Sequence, residues 1–165
     1  MKQRVVFFLY PGIVSLDVSG PLEVFAAATD ILAHSNKNDQ GYVPVFAACT
    51  PGPVRTSSGL VLTAETTLEN LSPDILVVPG AVDAESISQN PQIIRQVSAA
   101  ASRSARIASV CSGAFILAAC DLLHGKRAAT HWLVADRLAE LYPQITVEPD
   151  AIFVRDGNTS TSGGV

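Results

Sequence analysis

The feature that most restricts the fold is a set of short runs that are apolar throughout, each followed by a turn and a helical-period stretch. Val5-Val6-Phe7-Phe8-Leu9-Tyr10 stops at Pro11-Gly12, and Ile75-Leu76-Val77-Val78 stops at Pro79-Gly80. A strand with one wet face alternates polar and apolar residues, so runs without alternation belong to strands covered on both faces. The pattern predicts strands at 4–10, 42–48, 74–78 and 106–110, with shorter ones at 145–147, 152–155 and 159–161. A hairpin is predicted from 54–57 and 60–64 around Ser58-Gly59. Helices are predicted at 21–34, 91–103, 112–123 and 131–142, with Pro21 in a first turn and Gly125 as a stop, and 36–41 reads as a polar loop. Strand–helix alternation with buried strands gives an α/β domain, a flavodoxin-like sandwich whose central sheet is mostly parallel with helices on both faces.

At 165 residues this is one domain, and 48% apolar content suffices for a sizeable core. The net charge of −4, with no basic block, argues against direct nucleic acid contact by this chain. The N-terminal apolar run is too short for a signal core, and no stretch approaches the ~20 apolar residues of a membrane span. No membrane partner is therefore expected. Three cysteines, Cys49, Cys111 and Cys120, do not make a disulfide framework. The chain reads as cytoplasmic.

Chemistry concentrates after the strand at 106–110. Ser109-Val110-Cys111-Ser112-Gly113 has the form small-x-nucleophile-x-Gly between a predicted strand and a predicted helix, the setting of a nucleophile elbow. Such a turn would strain Cys111 and aim it above the carboxyl edge of the sheet. At a helix N-terminus its thiol is expected to be more acidic than a free one. The competing reading is a small buried core cysteine.

Asp17-Val18-Ser19-Gly20-Pro21-Leu22-Glu23 lies in the first strand-to-helix loop on the same edge. Asp17 and Glu23 could serve acid–base chemistry, and a desolvated Glu23 could hold a proton for a thiolate. Otherwise Asp17 is solvated and Glu23 caps a helix. His131 opens a helix 20 residues after Cys111, and reads either as a site residue or as a structural histidine. No CxxC, HExxH or calcium loop occurs and no Gly-x-Gly-x-x-Gly follows the first strand, so no metal and no cofactor are expected.

The stretches DVSGPLEVF (17–25), VRTSSGLVL (54–62), DILVVPG (74–80), SVCSGAFILA (109–118), LLHGKRAATHW (122–132) and DAIFVRDGNTSTSGGV (150–165) together resemble the ThiJ/PfpI superfamily of class I glutamine amidotransferase-like fold. The strongest likeness is to the N-terminal domain of AraC-type transcription regulators, followed by isonitrile hydratases. The resemblance implies Cys111 as the elbow cysteine, Glu23 as its carboxylate neighbour, and Asp17 as the aspartate the hydratases use. Ser112 would keep a hydroxyl where hydratases have threonine. The amides of Gly80, Ala81 and Ser112 would form an anion-stabilising pocket, with Gly113 and His131 beside the ligand.

Two departures from the family stand out. Peptidase and glutaminase branches often place histidine after the cysteine, where this chain has Ser112; those activities are not expected. Ala81 replaces a frequent second glycine, which would disturb the amide pocket if positive φ were needed there. Similar domains also continue beyond 163–165 into a helix packed on the sheet, and AraC-type regulators add a basic helix-turn-helix region. The chain thus reads as one domain ending before its last helix, with apolar sheet surface left for a partner to cover.

The first functional expectation is a ligand-sensing regulatory domain, binding a small polar metabolite near Cys111 and contacting DNA only through a region beyond Val165. The alternative is a cysteine-dependent isonitrile hydratase-like enzyme. A third, weaker reading is a redox sensor acting through Cys111 oxidation. A homodimer is expected from the superfamily.

Overall fold

The computed structural model describes residues 1–35, 37, 40–164, so the predicted loop at 36–41 lies partly outside them. Among the described residues the main sheet runs β10-β11-β7-β6-β1-β2-β5. Its strands are β1 (Gln3–Phe8), β2 (Tyr42–Ala48), β5 (Thr66–Thr67), β6 (Ile75–Val78), β7 (Arg106–Val110), β10 (Phe153–Asp156) and β11 (Thr159–Ser162). All pairings are parallel except β10 with β11. The predicted hairpin is present as β3 (Gly52–Arg55) against β4 (Val61–Ala64), apart from the main sheet. A short β8 (Arg127–Ala128) pairs with β9 (Thr146–Val147).

The unbroken apolar runs are explained by burial. Val5 through Leu9 and Leu76 and Val78 are wholly inaccessible to solvent. Each such side chain contributes about 1.5–3 kcal/mol relative to exposure. The chain goes from β1 to its neighbour β2 through α1 (Leu16–His34), and from β6 to β7, in the opposite direction, through α2 (Ala84–Ile87) and α3 (Pro91–Ala101). Right-handed crossovers in opposite directions put α1 and α3 on opposite faces. The order reverses between β1 and β6, which makes their carboxyl ends the crevice where such sheets bind ligands.

Three helices differ from the sequence expectation. α1 starts at Leu16, so Asp17 lies in its first turn and Pro21 inside it. Proline has no N–H, so the Asp17 carbonyl loses its usual intrahelical donor. α4 covers only Ala114–Ala119. It ends before Gly125 because Asp121 takes a left-handed φ of 59°. There the Leu122 N–H donates to the Leu117 carbonyl and the Asp121 N–H to the Ala118 carbonyl, both at 3.0 Å, the paired bonds of a Schellman cap. α5 is Ala135–Leu141, and His131 instead caps a single 3-10 turn at Trp132–Val134. Near the sheet edge Ile152 and Phe153 are 84% and 71% exposed. Among the described residues no helix is long and apolar enough to cross a membrane.

Candidate functional site

β7 delivers Val110 in extended conformation, and the next residue, Cys111, turns to φ 56° at the start of a 3-10 turn that leads into α4. A left-handed cysteine costs on the order of 1–3 kcal/mol and persists only where its surroundings enforce it. Here they do. A Cβ on Gly113 would stand 2.3 Å from the Val78 carbonyl oxygen and 2.7 Å from that of Pro79. One on Gly80 would stand 2.8 Å from Asp17 Oδ2, Ser112 N and Ser112 Oγ. The elbow and the loop after β6 therefore touch backbone to backbone, which only glycine permits at these two positions.

Asp17 is brought in by three ties between the loops after β1 and β6. Ile13 bridges Ala81, the Val14 N–H donates to the Gly80 carbonyl at 2.9 Å, and the Gly80 N–H donates to Asp17 Oδ2 at 3.0 Å. Asp17 is 2% exposed. Burial pushes its carboxyl above the ordinary range, while the Gly80 amide, the hydrogen bond with Cys111 and the charge of His131 pull the other way. Burial also raises the Cys111 thiol, and the nearby Asp17 charge adds to the effect; the Ser112 amide opposes it by favouring the thiolate. The expected acidic thiol is thus reversed. The turn after β7 is too short to supply a strong helix-end field, and a buried carboxylate sits beside the sulfur. The outcome is a thiol and a carboxyl side by side, each made less acidic chiefly by burial. Beneath them buried Tyr10 donates to the Pro79 carbonyl; burial first, then Asp17 and Cys111, keep its phenol protonated.

Cys111 and Ser112 open onto a cavity of about 420 Å³, with apolar walls from Val14, Phe115, Leu133 and Val134. At its rim Arg137 Nη2 meets Glu85 Oε1 at 2.7 Å and Arg137 Nη1 meets Glu140 Oε2 at 2.8 Å. His131 lines the same cavity. Its Nδ1 accepts from the Leu133 N–H at 3.2 Å. Among the described residues no three His, Cys, Asp or Glu side chains gather as a metal site.

The structure brings Cys111, Asp17, Ser112, Gly80, Ala81 and His131 together, but not Glu23. Glu23 is exposed on α1. Six residues of helix turn it about 240° from Asp17 and move it about 9 Å along the axis. Asp17, and not Glu23, is therefore the carboxylate beside Cys111.

The three-amide pocket is also altered. The Gly80 amide is committed to Asp17, and the Ala81 amide donates to Ser112 Oγ at 3.0 Å. The Ser112 hydroxyl in turn donates to the Ala81 carbonyl at 2.7 Å, so it fastens two loops, while Ser112 also lines the cavity beside Cys111. Gly113 is buried in close packing against the loop after β6 and does not line the cavity. Ala81 is not among the positive-φ residues, so its methyl is accommodated.

Sequence reasoning passed over Tyr10 and Thr130. Thr130 Oγ1 donates to the Cys111 carbonyl at 2.9 Å. Its signal lay in the 122–132 stretch, next to His131.

The DJ-1/PfpI family model matches residues 3–165. The isonitrile hydratase of Pseudomonas putida is 34% identical over 100% of this chain and 67% of its own length. The HTH-type transcriptional regulator CdhR of Pseudomonas aeruginosa is 29% identical over 99% of this chain, which spans 47% of that protein. The crystal structure of a ThiJ/PfpI family protein from Pseudomonas syringae superposes with a TM-score of 0.83 at 27% identity, covering 100% of this chain and 64% of that one. The sheet order, the left-handed cysteine after β7 and these matches lead to one assignment: the chain belongs to the DJ-1/PfpI family.

Proposed function

We propose that the chain performs isonitrile hydratase-like chemistry, adding water to a small isonitrile to give an N-substituted formamide. One observation carries this reading: buried Asp17 lies beside Cys111 and is electrostatically coupled to it, at a strained elbow facing an apolar-walled cavity. The sulfur adds to the terminal isonitrile carbon while that carbon takes the proton held between Cys111 and Asp17. This gives a thioimidate, R–N=CH–S, on Cys111. The Asp17 carboxylate then takes a proton from water as the hydroxyl adds to the same carbon, and passes that proton to nitrogen. Loss of the hydroxyl proton to Asp17 forms the C=O bond and expels the Cys111 thiolate, leaving R–NH–CHO. One water is consumed and nothing is oxidised.

No tetrahedral acyl oxyanion has to be stabilised early, so the committed amides of Gly80 and Ala81 do not obstruct this route. They would obstruct acyl transfer, which favours hydration over peptidase or glutaminase chemistry.

A second reading, ligand sensing for transcription regulation, is supported by the same committed amides, since binding in the cavity needs no amides free to hold a developing anion. The likeness to CdhR agrees with it. DNA contact would then belong to another region, and the apolar walls call for a ligand with an apolar body. Incubation with n-butyl isonitrile, followed by mass spectrometry for the formamide, separates the two. Turnover that falls at least about 100-fold in Cys111→Ala and Asp17→Asn but survives in Glu23→Gln is the expected result. Turnover that survives Cys111→Ala overturns the mechanism. A calorimetric binding heat without product favours sensing. In either reading the family likeness implies a homodimer, which sedimentation velocity checks.

A further inference from the structure

We infer that Thr130 is a positioning residue for Cys111, acting through the rigid peptide between Cys111 and Ser112. The Thr130 hydroxyl donates to the Cys111 carbonyl at 2.9 Å, and Thr130 is 2% exposed. A trans peptide is planar, with its C=O and N–H directed oppositely. Holding the Cys111 carbonyl toward Thr130 therefore fixes the Ser112 N–H on the other side, where its dipole favours the Cys111 thiolate. Thr130 thus orients the backbone donor that favours the thiolate, without touching the sulfur. It also occupies the carbonyl of the left-handed residue, so it holds the elbow in the conformation that aims the thiol into the cavity.

The hydroxyl is itself held by the sheet. β11 pairs in register with β7, with Thr161 opposite Ser109 and Ser162 opposite Val110. The Ala129 N–H donates to the buried Thr161 Oγ1 at 2.8 Å, which ties the segment before Thr130 to β11. From the same side Gly164, at φ 77°, closes over the elbow, and a Cβ there would stand 2.5 Å from Cys111 Cβ and 3.2 Å from its sulfur. Strand β11, the 129–130 segment and Gly164 form one backbone frame around Cys111. The ionisable groups facing the sulfur are Asp17 from α1, Tyr10 after β1, and His131, Asp83, Glu85 and Arg137 around the cavity. None is touched by a change confined to the Thr130 hydroxyl.

The inference rests on Cys111 as the reacting thiol, but its test needs no natural ligand, so it stands or falls separately from hydration. Iodoacetamide alkylation of Cys111 is followed against pH by peptide mass mapping, which separates it from Cys49 and Cys120. In Thr130→Val the midpoint should move to higher pH, with alkylation near pH 8 slowed roughly 3- to 10-fold, as for partial loss of a hydrogen bond to a charged group. Thr130→Ser should restore the wild-type profile. An unmoved midpoint in Thr130→Val, or a Thr130→Ser shift as large as that of valine, would show that only packing is at stake. If the valine variant does not fold, the wild type decides. The Ser112 amide resonance should move as Cys111 titrates, and a resonance indifferent to that titration overturns the proposal.

Discussion

Replacing Asp17 by asparagine should make Cys111 a better nucleophile toward a simple alkylating agent and a worse catalyst. The side chains are isosteric, and the amide oxygen can still accept from the Gly80 N–H, so the loops after β1 and β6 stay joined. What disappears is a titratable carboxyl, which is a negative charge beside the sulfur when ionised and a proton donor when protonated. Two unit charges about 4 Å apart interact by about 4 kcal/mol at an effective dielectric of 20. At 1.36 kcal/mol per pKa unit that is a ceiling of about 3 units on the thiol. Cys111 is only half-buried, so solvent screens part of it, and a fall of about 1–2 units is the working value. Alkylation by iodoacetamide at pH 7 should therefore accelerate roughly 10- to 100-fold, with the midpoint of the pH profile lowered. Formamide production from n-butyl isonitrile should be lost in the same preparation, because asparagine supplies no proton. A midpoint equal to or above that of the wild type would refute the electrostatic pairing. Retained turnover would refute Asp17 as the proton carrier.

The wild-type stability has a matching pH dependence. The folded carboxyl is raised above its unfolded value, so the native state binds the extra proton between the two values. Asp17 therefore contributes less to stability as pH rises through that window, and Asp17→Asn should remove this slope in urea titrations at several pH values. Gly113→Ala should cost about 2–4 kcal/mol, because the new methyl meets two backbone carbonyls that cannot move independently of β6; the urea midpoint reads it. Asp121→Gly should gain up to about 1 kcal/mol by removing the left-handed strain at the end of α4, again as a higher urea midpoint.

Much of this molecule is a local matter. Unbroken apolar runs such as Val5–Leu9 can only be doubly covered strands, and their alternation with helical stretches leads to a mostly parallel sheet. The small residues around Cys111 and the strand before it mark an elbow, because a sharp turn there tolerates nothing larger. Where elements end was less legible. α4 stops at Asp121 through a left-handed aspartate, and nothing in the composition distinguishes that residue from a helical one.

Which carboxylate serves Cys111 was not decided along the chain. Asp17 and Glu23 are equivalent as residue types, and the choice came from α1 starting at Leu16, which turns Asp17 inward and Glu23 to solvent. The same holds for the thiol and the amides. Spacing places Cys111 near a helix start, but its proton affinity follows from burial and from Asp17, which arrives from the first turn of α1. The amides of Gly80 and Ala81 look open in sequence and are taken only once three loops meet. Sequence by itself determined the layered fold and the elbow cysteine, since both follow from short-range sterics and hydrophobic period. Tertiary structure alone decided the proton partner, the filled amide pocket and the hold of Thr130, because each is a contact between segments whose meeting no local pattern specifies.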